Sequence, residues 1–306
     1  MSIFNADDPR LGDAFSCDAI EHLIIPSSRE IGNFAVRRAL PTAKRRMVGP
    51  FIFFDRMGPS IIDSGSGLDV APHPHIGLST VTYLFDGQIR HRDSLGSEMV
   101  IRPGDVNLMT AGRGIVHSER SPEEERTQPL PLSGLQTWVA LPEAHEEDTP
   151  SFSHTDDREL PRYSADGIDL NLVIGNFGGL KSPVPMLSET IYADLTLAPH
   201  AKFPLDPDWE ERALYILDGS VDIAGDVFGP EQLLIFRPED AISLKAGPLG
   251  TRVMIFGGDS MGSKRHIWWN FVSSSKERIE QAKEEWKTGR FDIVPGDEED
   301  FVPLPG

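Results

Sequence analysis

An all-β chain built from two copies of one small barrel is the fold class this sequence predicts. Three observations carry it: dense turn signals, a repeated strand-and-turn pattern, and a single segment with helical spacing. The 306 residues include 28 glycines and 25 prolines, which break the chain into short apolar runs, the pattern of a β-barrel or sandwich. The repeat lies in "TYLFDGQI" (82–89) and "LYILDGSV" (214–221), where Tyr83 maps onto Tyr215 at an offset of 132. Both runs are broken by Asp-Gly, which predicts a two-residue hairpin with positive φ angles. A second turn and another apolar run follow in each copy, at "RPGDVNLM" (102–109) and "FGPEQLLIF" (228–236).

In chain order, the first barrel is expected over 1–142, an acidic, proline-containing linker over 143–166, and the second barrel over 167–260. A helix and tail are expected over 261–306. The helix is read from "SSSKERIEQAKEEWKTGRF" (273–291), where Ile279, Ala282 and Trp286 share one face. Ser274 with Glu277 offers a capping box and Gly289 a stop. The tail "PGDEEDFVPLPG" reads as irregular and solvated.

Composition narrows the function classes. Apolar residues make up 39% and charged residues 25%, an ordinary balance for a soluble globular chain. No stretch approaches the roughly 20 apolar residues of a membrane helix, and "MSIFNADDPRLGDAF" lacks the basic start and apolar core of a secretory signal. Cys17 is the only cysteine, so neither an internal disulfide nor a thiolate cluster is expected, and a reducing cytoplasm fits. With 29 basic against 48 acidic residues, net charge −19, direct nucleic-acid binding through phosphate neutralisation is not expected. The basic run "VRRALPTAKRRM" (36–47) is expected on a solvated strand edge.

One stretch carries chemistry. "APHPHIGLST" (71–80) places His73 and His75 two residues apart, where an extended strand turns both to one face. Pro74 pushes His73 toward extended backbone and Pro72 fixes a further φ. Alone, the pair is a weak signal and reads more readily as a solvated loop. "GRGIVHSERS" (112–121) adds His117 and Glu119 at the same spacing. On antiparallel strands of one small barrel the two pairs converge. Three imidazoles and a carboxylate buried without partners are costly, and Glu119 is forced toward its neutral form. A metal ion removes that difficulty, so His73, His75, His117 and Glu119 are the expected ligands. His91, in "IRHRDS", is expected as an exposed strand residue, with a place beside the ligands as the alternative. His22, His145, His154, His200 and His266 have no partner at ligand spacing. In the second copy the offset puts Leu205 and Pro207 at the places of His73 and His75, and a displacement of 126 puts Ser243 opposite His117. That barrel is expected to keep the scaffold without the ligands.

Imidazole and carboxylate without thiolate suit Fe, Mn, Ni, Cu or Zn. Neutral histidines and an ionised Glu119 leave a divalent ion with a net positive charge, which favours an anionic oxygen ligand. A substrate with adjacent hydroxyl and carbonyl groups then chelates as its enolate, with room for O2 beside it. Glu119 lies within reach as the catalytic base for the hydroxyl proton.

The motifs "GPFIFFDRMGP", "APHPHIG", "TVTYLFDG", "MTAGRGIVHSER" and "GLQTWVALP", in this order, resemble the pirins, a family of bicupin proteins. "RHIWWNFVSSSKERIEQAKEEW" is similar to a bacterial branch of it. The resemblance implies two tandem cupin barrels (double-stranded β-helices, or jelly rolls), here with the C-terminal helix. It also implies Fe(II) in the first barrel, held by the same His73, His75, His117 and Glu119. Two departures stand out. Ser79 and Thr80 occupy the region where the wider cupin superfamily carries a glutamate, so the acid must come from Glu119. Arg56 stands where many relatives have histidine, which alters the expected pocket rim. The activity implied is that of a quercetin 2,3-dioxygenase, opening a flavonol-like, enolisable substrate with O2 and releasing carbon monoxide. The alternative implied is a non-catalytic, redox-sensing regulator whose protein partner is a transcription factor or a metabolic enzyme. A storage-type cupin without turnover fits the second motif less well.

Overall fold

The structure, a computed structural model, describes residues 19–31, 34–205 and 208–305. Cys17 and Pro207 lie outside them. Strands dominate, and the one α-helix among the described residues is Lys276–Lys287. The expected class, two tandem all-β barrels with a C-terminal helix, is what the chain adopts. No helix among the described residues is long and apolar enough to cross a membrane.

Two compact units form, and neither is one continuous stretch of chain. The first gathers residues 28–38, 52–157 and 261 onward; the second gathers 19–27, 39–51 and 158–260. The acidic stretch carries secondary structure of its own: Ser151–Thr155 pairs with Val106–Thr110 in the first unit, and Arg162–Ala165 pairs with Ile168–Phe177 in the second.

The first unit is built on two sheets. A seven-stranded sheet includes Val106–Thr110, Leu78–Asp86 and Leu130–Ala140 as neighbours. A four-stranded sheet runs in the order Asp69–His75, Ile115–Arg120, Ile89–Asp93, Glu98–Ile101. Asp86-Gly87 is not the turn of a hairpin, as expected, because the strands on either side of it belong to different sheets. It is a corner at which the chain changes sheet, made possible by Gly87 at φ +83°, where a Cβ would run into the Pro131 carbonyl. Barrels turn corners at such bends. The helix also differs from expectation by one residue: Ser275, not Ser274, is the N-cap, accepting the Arg278 N–H at 3.2 Å. Ser274 is already engaged, donating its own N–H and hydroxyl to Glu146. Ile279 and Ala282 pack with Ile76 and Phe271, and Gly289 at φ +67° follows the last turn. The tail is irregular, yet Val302 N–H donates to Pro72 O, and Arg120 holds Asp297 through two bonds.

The second unit is a ten-stranded sheet with Ile20–Ile24 at one end of the strand order, pairing with Gln232–Phe236. Here too Asp218-Gly219 is no hairpin: the strand Glu211–Ile223 runs through it, with register shifts on both sides and Gly219 at φ +72°. Its interior is a continuous apolar core that contains Leu205, Ile223, Ile242 and Leu244. Leu205 pairs with Ile242 and Pro204 with Ser243. Ser243 is therefore one residue out of register with the place expected for it, since the shift taken from the glycine-proline turn is off by one.

Candidate metal centre

In the first unit the strand Asp69–His75 lies at the edge of the four-stranded sheet, the one position where Pro72 and Pro74 cost no ladder hydrogen bond on their outer side. Its inner neighbour is Ile115–Arg120, with His73 opposite His117 and His75 opposite Ile115. Alternation of side chains then turns all three histidines inward. Their rings lie 4.4 to 5.0 Å apart, centroid to centroid. One ring nitrogen from each comes within 4.8 Å of the others. All three are buried. His75 meets the edge of Trp138 at 5.2 Å, and Trp138 stacks on Phe53 at 3.9 Å, which limits rotation of the imidazole.

The donor set suits a cation. His73 Nδ1 lies 2.8 Å from the Ala71 carbonyl, which can only accept, so Nδ1 carries the proton and Nε2 keeps a lone pair. His117 Nε2 and both ring nitrogens of His75 are buried without a hydrogen-bond partner; the Asn270 main chain comes close to His75 but outside ordinary geometry. Buried polar atoms are rarely left so. Burial lowers all three imidazoles, His73 to about 4 and the other two well below the usual histidine range, with mutual repulsion adding to the effect at His75 and His117. The rings are neutral, the form that ligates a metal.

Glu119 is buried nearby but stands outside the group whose ligand atoms approach within 4.8 Å. A register shift between His117 and Glu119 puts Glu119 opposite Val70. Its carboxyl accepts from Gln136 Nε2 at 3.1 and 3.3 Å, with Thr82 Oγ1 at 3.4 Å. Burial raises its pKa against the opposing hydrogen bonds from Gln136 and Thr82.

His91 is not the exposed strand residue expected. It is 4% exposed, stacked on Phe152 at 4.5 Å, with Nδ1 3.4 Å from His117 Nδ1 and Nε2 3.1 Å from Asp93 Oδ2. The strict alternation of Ile89, His91 and Asp93 was the available signal. Gln136 and Thr82, which hold Glu119, sit inside "GLQTWVALP" and "TVTYLFDG" but drew no attention there. Arg56 is buried: its Nη1 donates to Met57 O, Gly134 O and Ser133 Oγ, and its guanidinium lies 5.0 Å over Phe85. His22, His145, His154, His200 and His266 join no such ligand group.

Two family profiles match the chain, "Pirin" over residues 33–139 and "Pirin C-terminal cupin domain" over 192–292. A pirin-like protein of Caulobacter vibrioides is 48% identical over 280 residues, 90% of this chain and 96% of its own length. A Pseudomonas aeruginosa protein, provisionally named a quercetin 2,3-dioxygenase, is 38% identical over 93% of this chain and 92% of its own. Among solved structures, a quercetin 2,3-dioxygenase of Acinetobacter baumannii superposes with a TM-score of 0.87 at 32% identity, covering 95% of this chain and 97% of that one.

Proposed function

This chain belongs to the pirin family, and from that premise we propose that its first barrel is a mononuclear metal centre of a quercetinase-type dioxygenase. The substrate class is a flavonol-like, enolisable hydroxy-ketone, the co-substrate O2. The observation that carries this reading is the inward convergence of His73, His75 and His117 with ring nitrogens left unpaired in a buried site. The metal we assign is Fe(II), with Mn, Ni, Cu and Zn compatible with the same donors.

Bound there, the metal supplies Lewis acidity, a template for an enolate and redox chemistry toward O2. The protein's part is to hold three neutral imidazoles with their lone pairs inward and to manage one proton. Glu119 is suited to that task. Burial makes its protonated form more favourable than in water, so its carboxylate is a stronger base than a surface glutamate and takes the hydroxyl proton of a substrate beside it. Gln136 and Thr82 aim the carboxyl and limit its rotation. We include Glu119 as a fourth ligand in this proposal, since it is buried two residues after His117 on the same strand.

The test is anaerobic mixing of the Fe(II)-loaded protein with a flavonol, then admission of O2. Loss of the flavonol absorption with release of carbon monoxide is expected. Full turnover by a Glu119→Gln variant would remove the proton role, and no turnover by the wild type on any enolisable substrate would remove the dioxygenase reading.

A further inference from the structure

We propose that Asp93 and His91 are positioning residues that set the tautomer of His117, so that its lone pair faces the metal. This rests on the metal-centre reading above. Asp93 Oδ1 accepts the main-chain N–H groups of Leu95 and Ser97 at 2.9 and 3.0 Å. Its other oxygen faces His91 Nε2 at 3.1 Å. A carboxylate only accepts, so the proton of a neutral His91 resides on Nε2, and Nδ1 offers a lone pair. His117 Nδ1 faces that lone pair at 3.4 Å, a long but buried contact, and must donate. Its Nε2, buried and without any other partner, is then the unprotonated nitrogen.

Strand pairing makes this chain of three possible. Ile89–Asp93 lies on the far side of Ile115–Arg120 from the HxH strand, with His117 opposite Asp93 and Glu119 opposite His91. His91 thus reaches His117 diagonally, and the stack on Phe152 fixes its ring. Asp93 is fully buried, and although burial alone would raise its carboxyl, the bonds from His91 and Ser97 outweigh it and hold it below the usual range. The second barrel gives contrast: the offset of 132 puts Ile223 at the place of His91, a core residue with no proton to place.

The isosteric change Asp93→Asn tests the relay. Its amide oxygen keeps the bonds from Leu95 and Ser97, but its NH2 now donates to His91 Nε2. The His91 proton moves to Nδ1, His117 Nδ1 must accept, and His117 Nε2 becomes protonated. Long-range 1H–15N spectra of the full chain, stripped of metal by chelator, read both tautomers directly. The expected wild-type pattern has the His117 proton on Nδ1, and Asp93→Asn shifts it to Nε2. Zn²⁺ affinity, measured against a chromophoric chelator, is expected to fall by about 10–100-fold, the usual cost of disturbing a group that orients a ligand. His91→Phe keeps the stack on Phe152, removes the acceptor, and serves if Asp93→Asn does not fold; it too should lose the Nδ1–H signature and affinity. Wild-type His117 tautomer and Zn²⁺ affinity in a folded Asp93→Asn or His91→Phe protein would overturn the relay. A His117→Ala protein that binds Zn²⁺ as tightly as wild type would overturn the metal-centre reading instead.

Discussion

The two barrels place the same scaffold under opposite demands. Where the first has His73 and His91, the second has Leu205 and Ile223; where the first has His117 opposite His73, the second has Ile242 opposite Leu205. The four aliphatic residues Leu205, Ile223, Ile242 and Leu244 are at most 3% exposed and merge into one core. Each contributes on the order of 1.5–3 kcal/mol of burial. The first barrel forgoes that contribution at its histidine and glutamate positions, and at His75 and His117 it holds ring nitrogens without partners. The lesson is that a polar interior in one copy, set against a filled interior in the other, marks a site maintained for something other than the stability of the metal-free fold.

The contrast can be broken in four ways. The largest effect is expected from His117→Ala: because outer groups that orient a ligand cost about 10–100-fold in affinity, loss of the ligand should exceed that, and metal content after gel filtration should fall to background. Leu205→His, which carries the first barrel's residue into the second, should destabilise by about 3–5 kcal/mol, from lost burial and a desolvated imidazole, without creating metal binding; urea titration and metal analysis check both halves. The reverse transplant, His73→Leu with His117→Ile, should abolish metal binding and yet raise the melting temperature of the metal-free protein, at about 2–4 °C per kcal/mol gained. A double variant that melts lower than the metal-free wild type would show that the histidines support the fold by themselves.

The smallest effect is a pH dependence. The three imidazoles are depressed in the folded state, His73 to about 4, against an unfolded value of about 6.5. Between these values the unfolded chain binds more protons, so stability of the metal-free protein should fall as pH drops from about 6.5 toward 4, by up to about 1.4 kcal/mol per pH unit for each group. Glu119, raised by burial, acts in the opposite sense, since the folded state then holds the extra proton. Melting curves across that range should show a net acid-side loss in the wild type and a shallower one in the double variant.

Much of this was legible in the residues. The period of two in His73-Pro74-His75 and His117-Ser118-Glu119 states which side chains share a face, and that held for the three histidines. The same period applies to His91 and Asp93, but an isolated histidine between two arginines looks solvated until its neighbouring strand is known. Asp-Gly correctly announced positive φ at Gly87 and Gly219, yet a positive φ serves a sheet-changing corner or a bulge as well as a hairpin. Ser274 has Glu277 at the capping-box spacing and Ser275 does not, yet Glu146, over a hundred residues away, engages Ser274 and the cap falls to Ser275.

By itself the sequence determined the strands, their inward faces, the doubled barrel and which copy keeps imidazoles inside, because these follow from periodicity, turn residues and a repeat, all short-range properties. Only the tertiary structure decided that Ile89–Asp93 lies against Ile115–Arg120, that His91 meets His117, and that Glu119 turns to Gln136. Alternation says which face a side chain takes, while the strand that comes to lie beside it is set by pairing between segments far apart in the chain.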